Sequence, residues 1–180
     1  KNFGDIYSNL DIKYKFKPCP KNISEDRKYI VSGQNGNILT KKGHDMNGMG
    51  TICDIIFRKD GIYSWKIKIL KTFDYNISIG VAPSDFNIHS SYSTYGWYFY
   101  LRDSSLRSGP PHNYEFHKTN LKKARNEIIV IMNMKKRTLK FIVDNEDKGD
   151  SFTDIPIDKP LSPAVLLYNN DDSIEISKYN

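Results

Sequence analysis

The 180-residue sequence predicts an all-β protein, a two-sheet antiparallel β-sandwich with little helix, and three observations carry that reading. Apolar and polar residues alternate at period two along most of the chain, the pattern of strands with one buried face. The alternating runs are short and recur at spacings of about 8–12 residues, with Gly, Pro and Asn between them. No segment longer than about ten residues keeps a helical period.

Taken in order, the first 27 residues are the least regular. In DIKYKFKPCP, Tyr14 and Phe16 alternate with lysines, so residues 1–27 are expected to form an extension packed on or flanking the sandwich, with residues 28–180 as the domain proper. KYIVSGQNGNILTKKG reads as a strand, a turn on Gly33, Asn35 and Gly36, and a second strand. GIYSWKIKIL places Tyr63, Trp65, Ile67 and Ile69 on one face and Lys66 and Lys68 on the other. YNISIGVA sets Ile77, Ile79 and Val81 against the small Ser78 and Gly80, and ends at Pro83, which cannot donate to a ladder.

The stretch YGWYFYLRD divides into Trp97, Phe99 and Leu101 on one face and Tyr98, Tyr100 and Arg102 on the other. Trp97 and Phe99 are expected in the core, because tyrosine hydroxyls favour a wet edge. A return strand over residues 106–108 and a rim loop over 110–114 should follow. EIIVIMNM and TLKFIV, separated by Lys135, Lys136 and Arg137, read as a hairpin with a basic tip, with Leu139, Phe141 and Val143 facing inward. DNEDKGD then reads as a surface turn, Pro156, Pro160 and Pro163 as a punctuated link, and AVLLY and SIEI as closing strands.

Composition narrows the function classes. Charged residues are 27% and apolar residues 38%, an ordinary globular balance for one domain with its own core. The net charge is +6, but the cations are scattered: Lys13, Lys15 and Lys17, then Lys41 and Lys42, Lys122 and Lys123, and Lys135 to Arg137. Scatter favours a solvated basic surface over a nucleic-acid footprint, where Arg and Lys cluster on one face. No apolar run approaches the roughly 20 residues that span a bilayer, and no charged-then-apolar leader opens the chain. Cys19 and Cys53 lack metal-type spacing and read as reduced thiols, so an intracellular, cytoplasmic protein is expected. The chain opens at Lys1 without an initiator Met, so a piece of a longer polypeptide is expected.

Signatures of chemistry are weak. GHDMNGMG is glycine-rich but lacks the Lys-Ser or Lys-Thr and the following helix of a phosphate loop. A calcium loop beginning at Asp144 would carry Lys148 at an oxygen-ligand position and Ile155 where the bidentate Glu belongs. His44, His89, His112 and His117 lie on loops without a cysteine pair for zinc. No Gly-x-Ser-x-Gly elbow or cysteine nucleophile motif occurs. No catalytic residue, metal or cofactor is expected.

The order GIYSWKIKI, SIGVAPSDF, the Gly-Trp strand with LRSGPPHNY, EIIVIMNMKKRTLKFIVDNEDKGDSFTDI and LSPAVLLY resembles the SPRY domain, the core of the B30.2 family, over about residues 28–178. Asn133 stands where that family often has Asp, Asp144-Asn145-Glu146 replaces its usual Asn-Gly turn, and no separate PRY signature is evident. The resemblance implies a concanavalin-like jelly roll and a monomeric, non-catalytic protein-protein interaction module. Such a module recognises a short peptide segment or a folded partner through loops at one edge, within a larger protein such as a ubiquitin-ligase adaptor.

The binding loops it implies are residues 42–47, 90–95 and 168–171. There Tyr92, Tyr95 and Tyr168 would supply rigid contact surface; His44, Asn169 and Asn170 would satisfy peptide backbone; Lys42 and Arg102 would attract carboxylates, an acidic partner suiting the +6 charge. The competing reading of each tyrosine is a loop anchor covering the core. Competing functions are a basic nucleic-acid-binding accessory domain using Lys122, Lys123, Arg125 and the Lys135 to Arg137 tip, an enzyme with an unrecognised constellation, and a structural spacer.

Overall fold

Where the sequence alternates, the chain forms strands. The computed structural model describes residues 12–44, 49–85, 95–109 and 115–180. In chain order the strands are β1 (Tyr29–Ser32), β2 (Ile38–Lys41), β3 (Met49–Ile52), β4 (Ile62–Lys71), β5 (Ile77–Pro83), β6 (Gly96–Tyr100) and β7 (Ser105–Gly109). They continue as β8 (Glu115–His117), β9 (Glu127–Asn133), β10 (Thr138–Val143), β11 (Glu146–Phe152), β12 (Leu161–Leu167) and β13 (Ser173–Lys178). One sheet runs β1-β2-β13-β4-β9-β10-β11 and the other β3-β12-β5-β6-β7-β8. A single 3-10 turn, Glu25–Arg27, is the helical content among the described residues, and no helix there is long and apolar enough to cross a membrane.

Inward-facing residues of both sheets share one core. Tyr63, Trp65 and Ile67 of β4, Ile77, Ile79 and Val81 of β5, Trp97 and Phe99 of β6, and Leu139, Phe141 and Val143 of β10 are all buried in it. Phe99 and Phe141 meet across the sheets with ring centroids 5.5 Å apart. Residues 14–17 strap the two sheets: the Phe16 N–H donates to Gly36 O at 2.9 Å, the Lys17 N–H to Ile52 O at 3.1 Å, and Tyr14 lies 5.9 Å from the Trp65 ring. Residues 1–11 of the expected extension lie outside the described residues.

Three sequence expectations change. Tyr98 and Tyr100 do not sit at a wet edge: they are 0% and 6% exposed, because the outer face of the six-stranded sheet is buried as well. There Tyr98 packs with Ile52, Ala82, Ala164 and Leu166, and the tyrosine hydroxyls find protein acceptors, Tyr95 O at 3.3 Å and Asn76 Oδ1 at 2.7 Å. DNEDKGD is not a long turn. Asp144 and Asn145 alone make it, at φ 43° and 68°, and the residues that follow form the charged edge strand β11. Pro163 is not in the link but inside β12, opposite Val81. It is tolerated because the register pairs with β3 end at Ala164 and the next contact, the Cys53 N–H to Pro163 O at 2.9 Å, uses the proline carbonyl and needs no N–H.

Two local devices set the geometry. At Gly80 a Cβ would stand 1.8 Å from Trp97 O, so β5 and β6 come together only because the side chain is absent. The Asp144 carboxylate accepts the N–H groups of Arg125, Asn126 and Glu127 at 2.7, 3.0 and 2.9 Å, ordering the entry to β9. Partial burial of Asp144 opposes ionisation, but the three N–H donors and the nearby Lys122 outweigh it and hold its pKa below the ordinary carboxylate value.

Gly80→Ala should therefore lose roughly 3 kcal/mol of stability in urea unfolding; an unchanged midpoint would show that β6 can simply shift away. Asp144→Ala should cost about 1–2 kcal/mol at pH 7. Because the folded pKa lies below the unfolded one, that contribution is complete above the unfolded value and vanishes as pH falls through the folded one. The difference between wild type and variant should accordingly shrink in acid; a gap of constant size from pH 7 to pH 3 would rule out the carboxylate as its source.

Candidate functional site

Strand register collects four connections at one end of the sandwich. Lys71 opposes Ser173, Ile77 opposes Leu167, Tyr100 opposes Ser78, and Met49 opposes Leu167. The chain leaving β2, the β4–β5 connection, the β6–β7 turn and the β12–β13 connection therefore form one rim.

Two buried charged residues underlie it. Lys41 is 0% exposed and Asp172 1%. The Lys41 N–H donates to Asp172 O at 3.1 Å, its carbonyl accepts the Asp171 N–H at 2.8 Å, and its ammonium donates to Gly43 O. The Asp172 carboxylate accepts the Phe73 N–H at 2.9 Å and the Thr72 hydroxyl at 3.5 Å. Burial raises the Asp172 pKa; the Phe73, Thr72 and Asn169 hydrogen bonds and the Lys41 charge oppose that rise.

Asp74 ties three connections together above this base. Its Oδ1 accepts Asn169 Nδ2 at 2.5 Å and the Asn76 N–H at 3.1 Å, and its Oδ2 pairs with Arg102. Asn76 in turn orients the Tyr100 hydroxyl. The Arg107 guanidinium lies 3.6 Å from the centroid of the Tyr100 ring, and the Tyr168 ring meets Tyr100 edge-on at 6.4 Å. Burial raises the pKa of both tyrosines and the Arg107 charge opposes the rise, so both stay neutral donors at physiological pH.

Of the residues expected from sequence, Arg102, Tyr168, Asn169 and Asn170 stand on this rim, with Lys42 and His44 beside them. Lys42 pairs with Asp171 at 2.7 Å. The Lys42 hydrogen bond and charge, with smaller help from Lys71 and His44, hold the Asp171 pKa below the ordinary value. Both expected carboxylate-attracting cations thus already hold a carboxylate. Tyr95 is not brought to the rim: it precedes β6, about 16 Å along the strand from Tyr100, near Trp97 at 5.8 Å and Lys159 at 5.9 Å. Tyr92, like residues 45–47 and the loop 110–114, lies outside the described residues.

Phe73 is the rim residue that the sequence reading passed over. It is 86% exposed, and its N–H is fixed by the buried Asp172 carboxylate. The available signal was an aromatic residue among Lys71, Thr72 and Asp74, beyond the last alternating position of β4.

The described residues of the rim offer shape, stacking and hydrogen bonds. Among the described residues no cluster of three His, Cys, Asp or Glu is arranged to hold a metal ion. The Cys53 thiol is fully buried, and desolvation, reinforced by Asp54, raises its pKa, which suppresses the thiolate.

Comparisons with known proteins agree with this architecture. The SPRY domain family model matches residues 62–179. The crystal structure of the SPRY domain of human HERC1 superposes with a TM-score of 0.62 at 23% identity, over 92% of this chain and 98% of that one. The TRIM65 PSpry domain superposes with a TM-score of 0.64 at 14% identity, over 92% of each chain. At these identities the likeness to the two structures is one of fold. No curated protein sequence matches the chain. SPRY domains are generally protein-interaction modules of larger proteins. A family match over more than half of the residues, on two antiparallel sheets with this strand order, establishes that the chain belongs to the SPRY domain family.

Proposed function

We propose that this SPRY domain is a non-catalytic recognition module that binds a short peptide segment, or a projecting segment of a folded partner, on the rim formed by residues 42–44, 72–76, 102 and 168–171. The observation that carries the proposal is Phe73, 86% exposed on a connection whose backbone is locked by a buried carboxylate. A large aromatic ring held in water by a rigid loop forgoes about 1.5–3 kcal/mol that burial against a partner would recover. Little ordering entropy opposes that gain, because Asp74 and Asp172 already hold the connection.

The surroundings suit a peptide. Tyr168 offers a flat amphipathic surface, and His44, Asn169 and Asn170 offer polar atoms for backbone groups. Lys42 and Arg102 hold their carboxylates at an exposed surface, where water screens the attraction, so a ligand carboxylate can exchange for Asp171 or Asp74 at little cost.

The nucleic-acid reading gains no support from the geometry. Lys122, Lys123 and Arg125 precede β9, whereas Lys135 to Arg137 follow it, so the suggested footprint is divided between opposite ends of a strand about 20 Å long.

Peptides selected from a random displayed library against the wild-type domain provide the test. Phe73→Ala should weaken the selected peptides by about tenfold or more in fluorescence anisotropy, with an unchanged unfolding midpoint because the ring makes little contact. Peptides that bind Phe73→Ala and Arg102→Glu variants as tightly as wild type would place recognition elsewhere on the domain.

A further inference from the structure

We propose a second binding site at the opposite end of the sandwich, a pocket of about 290 Å³ that receives an apolar side chain of an acidic peptide segment. It lies between the connection that precedes β4, the end of β9 and the connection that precedes β12, about 20 Å along β12 from the rim. It goes beyond the rim proposal and does not depend on it.

The walls are apolar and preformed. Phe57, Met134 and Ile157 line the cavity, and Ile56 stands at its mouth 60% exposed. Phe57 stacks on Tyr63 at 4.5 Å and lies 5.6 Å from Trp65, so the floor of the pocket is continuous with the main core. The backbone is held at each side: the Phe57 N–H donates to Leu161 O at 2.9 Å, the Met134 N–H to Gly61 O at 2.9 Å, and the Arg58 N–H to the Tyr63 hydroxyl at 2.9 Å. The volume is near the lower end of the roughly 300–1,000 Å³ of small-molecule sites, a size for one or two side chains rather than a large cofactor.

Charge decides the partner. Arg58, Lys59 and Lys159 ring the pocket and Asp158 is the one acid among its lining residues. Lys59 has no ion pair among the described residues, and the partners of Arg58 and Lys159, Asp60 at 3.5 Å and Asp85 at 3.7 Å, are exposed pairs that exchange readily. Lys135 and Lys136 follow Met134 directly on the hairpin tip, also without an ion pair among the described residues. Lys42 and Arg102 at the rim are paired in the same way as Arg58 and Lys159, so Lys59, Lys135 and Lys136 are what distinguishes this end. An apolar socket beside the unpaired Lys59, with Lys135 and Lys136 on the adjoining hairpin tip, fits a hydrophobic side chain flanked by carboxylates, the apolar group supplying affinity and the charges orientation and encounter rate.

The probe is a fluorescein-labelled heptapeptide with a central leucine between aspartates and glutamates, titrated with the intact domain and followed by fluorescence anisotropy. Saturable binding is expected. It should weaken about tenfold or more with Ile56→Asp, with Lys59→Glu, and when the leucine of the probe is replaced by serine, and should be unaffected by Phe73→Ala. Both altered residues are exposed, and Lys59→Glu alone decides the matter if Ile56→Asp perturbs the fold. Failure to saturate at millimolar domain, equal affinity of the Lys59→Glu variant, indifference to the serine replacement, or loss of binding with Phe73→Ala would each overturn the proposal. The last outcome would transfer the acidic peptide to the rim, which keeps the fate of the two sites separate.

Discussion

The closure of one sheet over the other, made where Phe99 of β6 meets Phe141 of β10, is the contact on which the remaining geometry depends. Phe141 continues the seam to Phe152 at 6.5 Å, while Trp65, Phe57 and Tyr14 form its counterpart elsewhere in the core. Removing such a buried ring costs about 3–5 kcal/mol, a large part of the stability of a single domain. Two sheets held about 10 Å apart must be joined by connections at their ends, and those connections become the surfaces available for recognition.

The second buried layer has a different physical basis. On the outer face of the six-stranded sheet, Tyr98 fits because its neighbours are small: Gly80 opposite it, with Ala82 and Ala164 in the same cluster. This layer brings Tyr100 and Tyr168 into mutual contact and lets Arg107 stack beside them. The aromatic shelf at the rim is thus the margin of a buried layer, which explains why its rings are rigid. Rigidity of that kind lowers the entropy lost when a partner settles on it.

The two ends of the sandwich differ in how charge is handled. At the rim, Lys41 and Asp172 are buried, and the exposed Lys42 and Arg102 sit opposite Asp171 and Asp74. Such an arrangement specifies the positions of backbone and rings more than it attracts ions. At the other end Arg58 and Lys159 beside the apolar socket are paired as well, with Asp60 and Asp85, and Lys59 has no ion pair among the described residues. A net charge of +6 therefore says little about where an acidic ligand would bind until the pairs are located.

Period-two alternation was enough to determine which side chains of β4, β5 and β10 face the core, because the side-chain period of a strand is local and a one-residue slip would expose the whole apolar set. The two-sheet class and the membership of the SPRY domain family were legible in sequence, the first from alternation and the second from the succession of landmarks, whereas the order of the strands within each sheet was not. Other features depended on residues far apart in the chain. Tyr98 and Tyr100 were misplaced because their burial requires small residues on β5 and β12 and acceptors at Tyr95 and Asn76. Asp144 looked like a turn acid, and only folding shows that it collects three N–H groups from residues 125–127. The end of the sandwich to which each loop residue belongs was decided by the tertiary structure as well: Asp74 reaches Asn169 across 95 positions of sequence, while Tyr95, close to Arg102 in the chain, is carried to the opposite end by the length of β6. Local periodicity sets which way a side chain points, but strand register alone sets which loops meet.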